Sequence, residues 1–182
     1  MENFHCVVME AKKSGTVSFR LDLDVIKKLK KEAARQDVSL NILANKVFKR
    51  YVDWGMFESQ VGMVPIARPI LDALFKKFDN DEIVDLAQKI GKGIVSDIAK
   101  FMKGSMDLDS FMSWFETRMK MSNFEMNHSV QNDTHTYIIK HDLGQNWSLY
   151  HKTVLELIFH NIFQKPIKIE INERMFEFSF SA

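Results

Sequence analysis

The stretch that decides the fold is residues 16–54, TVSFRLDLDVIKKLKKEAARQDVSLNILANKVFKRYVDW. Its first seven residues, Thr16 to Asp22, alternate polar and apolar side chains. A strand built from them shows Val17, Phe19 and Leu21 on one face and Thr16, Ser18 and Arg20 on the other. Asp22 or Asp24 then caps a helix running to about Gln36, with Val25, Leu29 and Ala33 at four-residue spacing. A second helix opens at Asp37-Val38-Ser39 with Ser39 as its N-cap. Its apolar residues Leu40, Leu43, Ala44, Val47, Phe48 and Tyr51 follow the helical period without a break. One strand and two short helices are too little for an independent core, so the segment is expected to dimerise, pairing two strands antiparallel.

Charge singles out the same segment. The whole chain of 182 residues is nearly neutral at +1, yet residues 11–53 carry 11 Lys and Arg against 5 Asp and Glu, a balance of +6. Residues 54–182 carry 14 against 17, a balance of −3. A cationic segment suits a polyanion, because Lys and Arg displace the counterions condensed on nucleic acid. Arg20 can hold guanine through O6 and N7, hydroxyls such as Thr16 and Ser18 can meet either base type, and free amides at a helix N-terminus suit phosphate.

Residues 16–54 resemble the ribbon-helix-helix transcriptional regulators of the MetJ and Arc type, in the strand TVSFRL, the acidic helix start DLDVIKKL and the second helix SLNILANKVFKRYV. The resemblance implies a homodimer whose two-stranded ribbon enters the major groove. By it, Thr16, Ser18 and Arg20 read bases, while Ser39 and Asn41 with neighbouring amides grip phosphate. Asp37 stands where many members of that family have glycine between the helices; aspartate tolerates left-handed backbone better than most residues.

Gly55, Gly62, Pro65 and Pro69 punctuate the next stretch, so the DNA-binding domain is placed at 11–54, a linker at 55–65 and a second domain at 66–182. In that domain Ile66, Ile70, Leu74 and Phe78 share a helix face, widened by Leu71 and Phe75. Asp79-Asn80-Asp81-Glu82 caps a helix reaching 103 and closed by Gly104. Met106-Asp107-Leu108 starts a third, burying Phe111, Met112, Phe115 and Met119. From about 123 the period becomes two, and two strands turn at Asn132-Asp133. A helix spans Trp147 to Phe163, and a last hairpin joins Ile167/Ile169/Ile171 to Phe176/Phe178/Phe180. The expected fold is α+β: a ribbon-helix-helix dimerisation head, a helical segment, and a ββαββ antiparallel sheet covered on one side by helix.

His141, Gly144, the Trp147 helix and the closing Phe-x-Phe-x-Phe strand resemble the α/β domains of 4-vinyl reductase, heme nitric-oxide-binding and TRAPP-type proteins, which implies sensing or assembly rather than catalysis. No residue-level ligand role carries over. His128, His135, His141, His151 and His160 show no ligand spacing for a metal, and Gly91-Lys92-Gly93 lacks the phosphate-loop pattern. The methionines between 102 and 126 are read as core. No catalytic residue, metal site or cofactor is assigned, and an enzyme is not expected. The single Cys6 cannot form an intrachain disulfide, and no apolar run reaches the roughly 18 to 20 residues of a membrane span, which fits a cytoplasmic protein. The expected function is a sequence-specific, dimeric DNA-binding transcription regulator. Its C-terminal domain would modulate binding through a small-molecule effector or assembly, dimers of dimers included. The alternative is an interaction module, an antitoxin or scaffold, that uses the head only to dimerise.

Overall fold

Helical backbone dominates the chain from Leu23 onward. The structure, a computed structural model, describes residues 15–181, so Cys6 and residues 11–14 of the expected head lie outside it. Two compact units divide at Phe48 and Lys49. In the first, α1 spans Leu23–Arg35, with Asp22 as its N-cap residue and Asp24 in its first turn, where negative charge suits the helix dipole. Its last turn is tied by Arg35, which donates to both carboxylate oxygens of Glu32 at 2.8 and 2.6 Å. Asp37 takes the left-handed conformation at φ 52°. Helix α2, Leu40–Arg50, then starts with the Ile42 N–H donating to Ser39 Oγ at 3.2 Å.

The expected β-ribbon is the main correction. Residues 15–22 form no strand, and the N-terminal unit is helical; the sheet lies entirely in the C-terminal unit. Alternation fixes which side chains share a side of an extended segment, but a strand exists only where a neighbour accepts its N–H and C=O groups. Within one chain, the described part of this unit offers no such neighbour. Without a ladder, the ribbon-helix-helix head is not the fold observed.

In the second unit, helical backbone continues through a π-helical turn at Tyr51–Gly55 into the short α3, Met56–Glu58. After an irregular stretch, α4 covers Arg68–Phe75 with proline in its first turn, where a missing N–H costs nothing. Helix α5, Asn80–Leu86, opens with a full capping box: Asp79 Oδ1 accepts from the Glu82 N–H and Glu82 Oε2 from the Asp79 N–H, each at 2.9 Å. A second π-helical turn, Ala87–Gly91, leads into α6, Lys92–Lys103, which Gly104 ends at φ 80°. Helix α7, Leu108–Met121, is capped by Asp107, whose carboxylate accepts from the Ser110 N–H at 2.8 Å and is held down at about 2 by its serine partners Ser105 and Ser110.

Strands β1 (Glu125–Gln131) and β2 (Thr134–Lys140) turn at Asn132 and Asp133, both with positive φ. Helix α8, Gly144–Ile158, and a π-helical turn at Phe159–Phe163 precede β3 (Lys168–Ile171) and β4 (Met175–Ser181). The four strands are antiparallel in the order β1-β2-β4-β3. Register pairs His135 with Phe180, Tyr137 with Phe178 and Ile139 with Phe176, so one face is a continuous aromatic and aliphatic surface. Phe111, Phe115, Val154, Ile158 and Phe159 from α7, α8 and the adjoining π-helical turn complete the core over it. Among the described residues no helix is long and apolar enough to cross a membrane.

One apolar stripe faces the other way from expectation. Ile66, Ile70, Leu74 and Phe78 are all exposed, while Leu71 and Phe75 are the half-buried apolar residues of α4, with Phe75 edge-on to Trp147 at 5.1 Å. Periodicity says which residues share a face, and packing chooses which face is covered.

Candidate nucleic-acid interface

Thr16, Ser18 and Arg20 lie on the irregular segment ahead of α1, and all three are exposed. Their apolar alternates are exposed too. Phe19 leans its ring on Phe48 of α2, centroids 5.2 Å apart, yet remains 60% open, and Val17, Leu21 and Leu23 are open as well. The two helices of this unit fully bury only Ala33 and Leu43. Ser39 and Asn41 sit at the start of α2. The Ser39 hydroxyl is engaged by the Ile42 amide, and Asn41 is exposed. Lys27, Lys28 and Lys31 are exposed along α1, and Lys46 and Lys49 along and after the middle of α2. Glu32 is already paired: hydrogen bonds from Arg35 and Gln36 hold its carboxyl at about 2. The site residues thus fall in two groups, one before α1 and one at the start of α2, all accessible to a partner.

The histidines of the second unit are placed by packing. His141 is buried at the end of β2: its Nδ1 accepts the Leu143 N–H at 3.2 Å, its Nε2 lies 2.7 Å from Ser148 Oγ, and that hydroxyl donates to the Asn172 carbonyl at 2.7 Å. Only the Nε2–H tautomer satisfies every atom of this relay. His151 has Nδ1 2.9 Å from the Trp147 carbonyl and stacks on Phe176, with Nε2 buried and unpartnered. Burial, reinforced by the charge of Arg118, pushes its pKa down to about 3. His128 and His135 meet at 3.1 Å on the rim of the sheet, where His128 stacks on Tyr137 at 4.0 Å and Tyr137 donates to Glu116 at 3.0 Å. Among the described residues no group of three or more His, Cys, Asp or Glu is placed to hold a metal ion.

Two concave features stand out in this unit. A polar cleft of about 720 Å³ lies beside His141 and Gly144, edged by Asp72, Lys76, Asp142 and Arg174. Its charges are largely answered locally, with Lys76 on Asp72 at 2.7 Å and Arg68 on Asp142 at 3.4 Å. Another cavity, about 520 Å³, is walled by Trp54, Met63, Ile98, Trp114, Arg118 and Met121. Arg118 and Trp114 are not among the site residues expected from sequence. Their signal is a tryptophan and an arginine four residues apart within the apolar run of α7.

No protein-family model matches the chain, and comparison with curated proteins finds no relative.

Proposed function

We propose that this chain is a DNA-binding transcription regulator that works as a homodimer. The N-terminal unit contacts DNA, and the C-terminal unit sets when it does so. One observation carries the reading: residues 15–48 expose an apolar row and a cationic set together. Val17, Phe19, Leu21, Val25, Ile42, Val47 and Phe48 are open to solvent, and in this reading a second copy covers them. The exposed lysines of α1, with Arg20, provide counterion-releasing contacts to phosphate. Arg20, Thr16 and Ser18 are assigned base contacts, and Ser39 and Asn41 contacts to the backbone.

Selection of bound sequences from random double-stranded DNA tests the reading, with Arg20→Ala as control. A reproducible motif that Arg20→Ala loses, while the dimer persists, supports it. Absence of any enriched motif, or one that Arg20→Ala leaves unchanged, rejects Arg20 as the reader.

A second reading, an interaction module that only dimerises through its head, is favoured by the outward stripes of the C-terminal unit. Ile70, Leu74 and Phe78 on and after α4, and Ile90, Ile94 and Phe101 before and along α6, are exposed. A protein that co-purifies in equal amount and is released by Leu74→Glu would place the chain in that class.

A further inference from the structure

Arg118 has no acid among the described residues to answer it. It lies on α7 one turn beyond Trp114, its guanidinium carbon 5.4 Å from the centre of that indole ring. Neither a carboxylate nor a hydrogen-bond partner reaches it there, and Tyr150 nearby is kept a neutral phenol by burial, so it supplies no counter-charge. Burial pulls its pKa down, which is the mark of a cation partly stripped of water. Such a group is normally paired, because a desolvated charge left alone opposes folding.

The guanidinium borders the cavity of about 520 Å³, a volume inside the roughly 300 to 1,000 Å³ of small-molecule pockets. Trp54, Met63, Ile98, Trp114 and Met121 give that cavity flat and pliable apolar walls suited to an aromatic or branched body. Arg50 and Glu58 also line it, and Glu58 forms no ion pair with either arginine among the described residues. Trp114 is almost wholly buried, and its indole N–H, without an acceptor among the described residues, is closed to solvent. The lining thus carries two arginines against one carboxylate. With Glu58 also on the lining, a phosphate would bring two charges where the net excess is one, whereas a carboxylate matches the half-buried Arg118 fork charge for charge.

We infer that this cavity binds a small organic monocarboxylate, with the carboxylate on Arg118 and the apolar body between Trp54, Trp114 and the methionines. The assignment concerns the C-terminal unit alone and stands independently of the DNA reading, although such a ligand would be the effector that reading calls for.

The test is a calorimetric titration of the full chain with a panel of aromatic and branched monocarboxylates of roughly six to twelve non-hydrogen atoms, each paired with its primary amide. Saturable one-to-one binding of acids is expected, with the matching amides weaker by about tenfold or more. In the proton–nitrogen spectrum the indole N–H signals of Trp54 and Trp114 shift on binding while that of Trp147 stays. Arg118→Gln makes acid and amide equal, and Ile98→Trp, which fills the cavity, abolishes both without altering the melting curve. The proposal is overturned if no acid of the panel binds, if acids and amides bind alike, or if the acid preference survives Arg118→Gln. Should Arg118→Gln not fold, Ile98→Trp decides, and acid binding that persists in that variant overturns the assignment.

Discussion

Gly91 sits against Tyr150 of α8 with no room for a side chain. A Cβ at position 91 would stand 2.8 Å from the Tyr150 hydroxyl and 2.7 Å from Val154 Cγ2. The glycine therefore sets how closely the turn between α5 and α6 approaches the helix that covers the sheet. Gly91→Ala is expected to destabilise the protein by about 1 to 3 kcal/mol through overpacking. Gly93→Ala, two residues on with nothing within 4 Å of its added carbon, is expected to be neutral or to stabilise by about 0.5 to 1 kcal/mol through helix propensity. Urea unfolding of the two variants beside the parent checks both, and equal effects would remove the packing argument.

Buried histidines make stability depend on pH. Burial lowers the pKa of both His141 and His151, the latter to about 3, so the folded state keeps them neutral where the unfolded chain takes up protons. Their contribution is complete above the unfolded value of about 6.5 and is lost as pH falls from there toward the folded value. Unfolding free energy should decline below about pH 6.5 by up to about 1.4 kcal/mol per pH unit for each histidine. His151→Phe, which preserves the stack on Phe176, is expected to flatten the decline. An unchanged slope in that variant, measured by urea titration between about pH 7.5 and 5, would show that His151 is not a source of it.

Ser148 joins three parts of the second unit through one hydroxyl, taking the His141 Nε2–H and donating to the Asn172 carbonyl. Ser148→Ala leaves a buried donor and acceptor without partners, so a loss of about 1 to 3 kcal/mol is expected. Ser148→Thr should not substitute, because Ser148 is completely buried and an added methyl has no space. Urea unfolding of both variants measures the loss, and less than about 0.5 kcal/mol in the alanine variant would mean that water replaces the hydroxyl.

Self-association is the most direct test of the N-terminal unit. Phe19→Glu and Val47→Glu place charge on the exposed apolar row and should shift the full chain from dimer to monomer in analytical ultracentrifugation. Circular dichroism of the C-terminal fold should be unaffected. A chain that sediments as a monomer before any substitution would remove the homodimer from the functional reading.

Local features of this chain were legible from local chemistry. Ser39 caps α2, Asp37 takes the left-handed turn, Asp79 and Glu82 form their reciprocal cap, and Asn132-Asp133 turns β1 into β2, because each depends on residues no more than four apart. The alternating Phe176/Phe178/Phe180 face was readable for the same reason, since one strand's period of two assigns all its inward residues at once.

What the linear order leaves open are the relations between segments. Alternation at Thr16–Asp22 looks like a strand, yet a strand is a property of a pair, and the described part of the single chain provides no partner for it. Two faces of α4 are both apolar, and only packing against α8 turned Leu71 and Phe75 inward and left Ile70 and Leu74 outside. The placing of Arg118 beside a cavity rather than a carboxylate was equally invisible. Residues distant in the chain decide which charges are answered. Sequence alone thus determined the caps, turns, periodicities and the cationic bias of the first third. Tertiary structure decided which apolar faces are covered and which buried donor still lacks its acceptor, because burial and pairing are energies between segments, not within them.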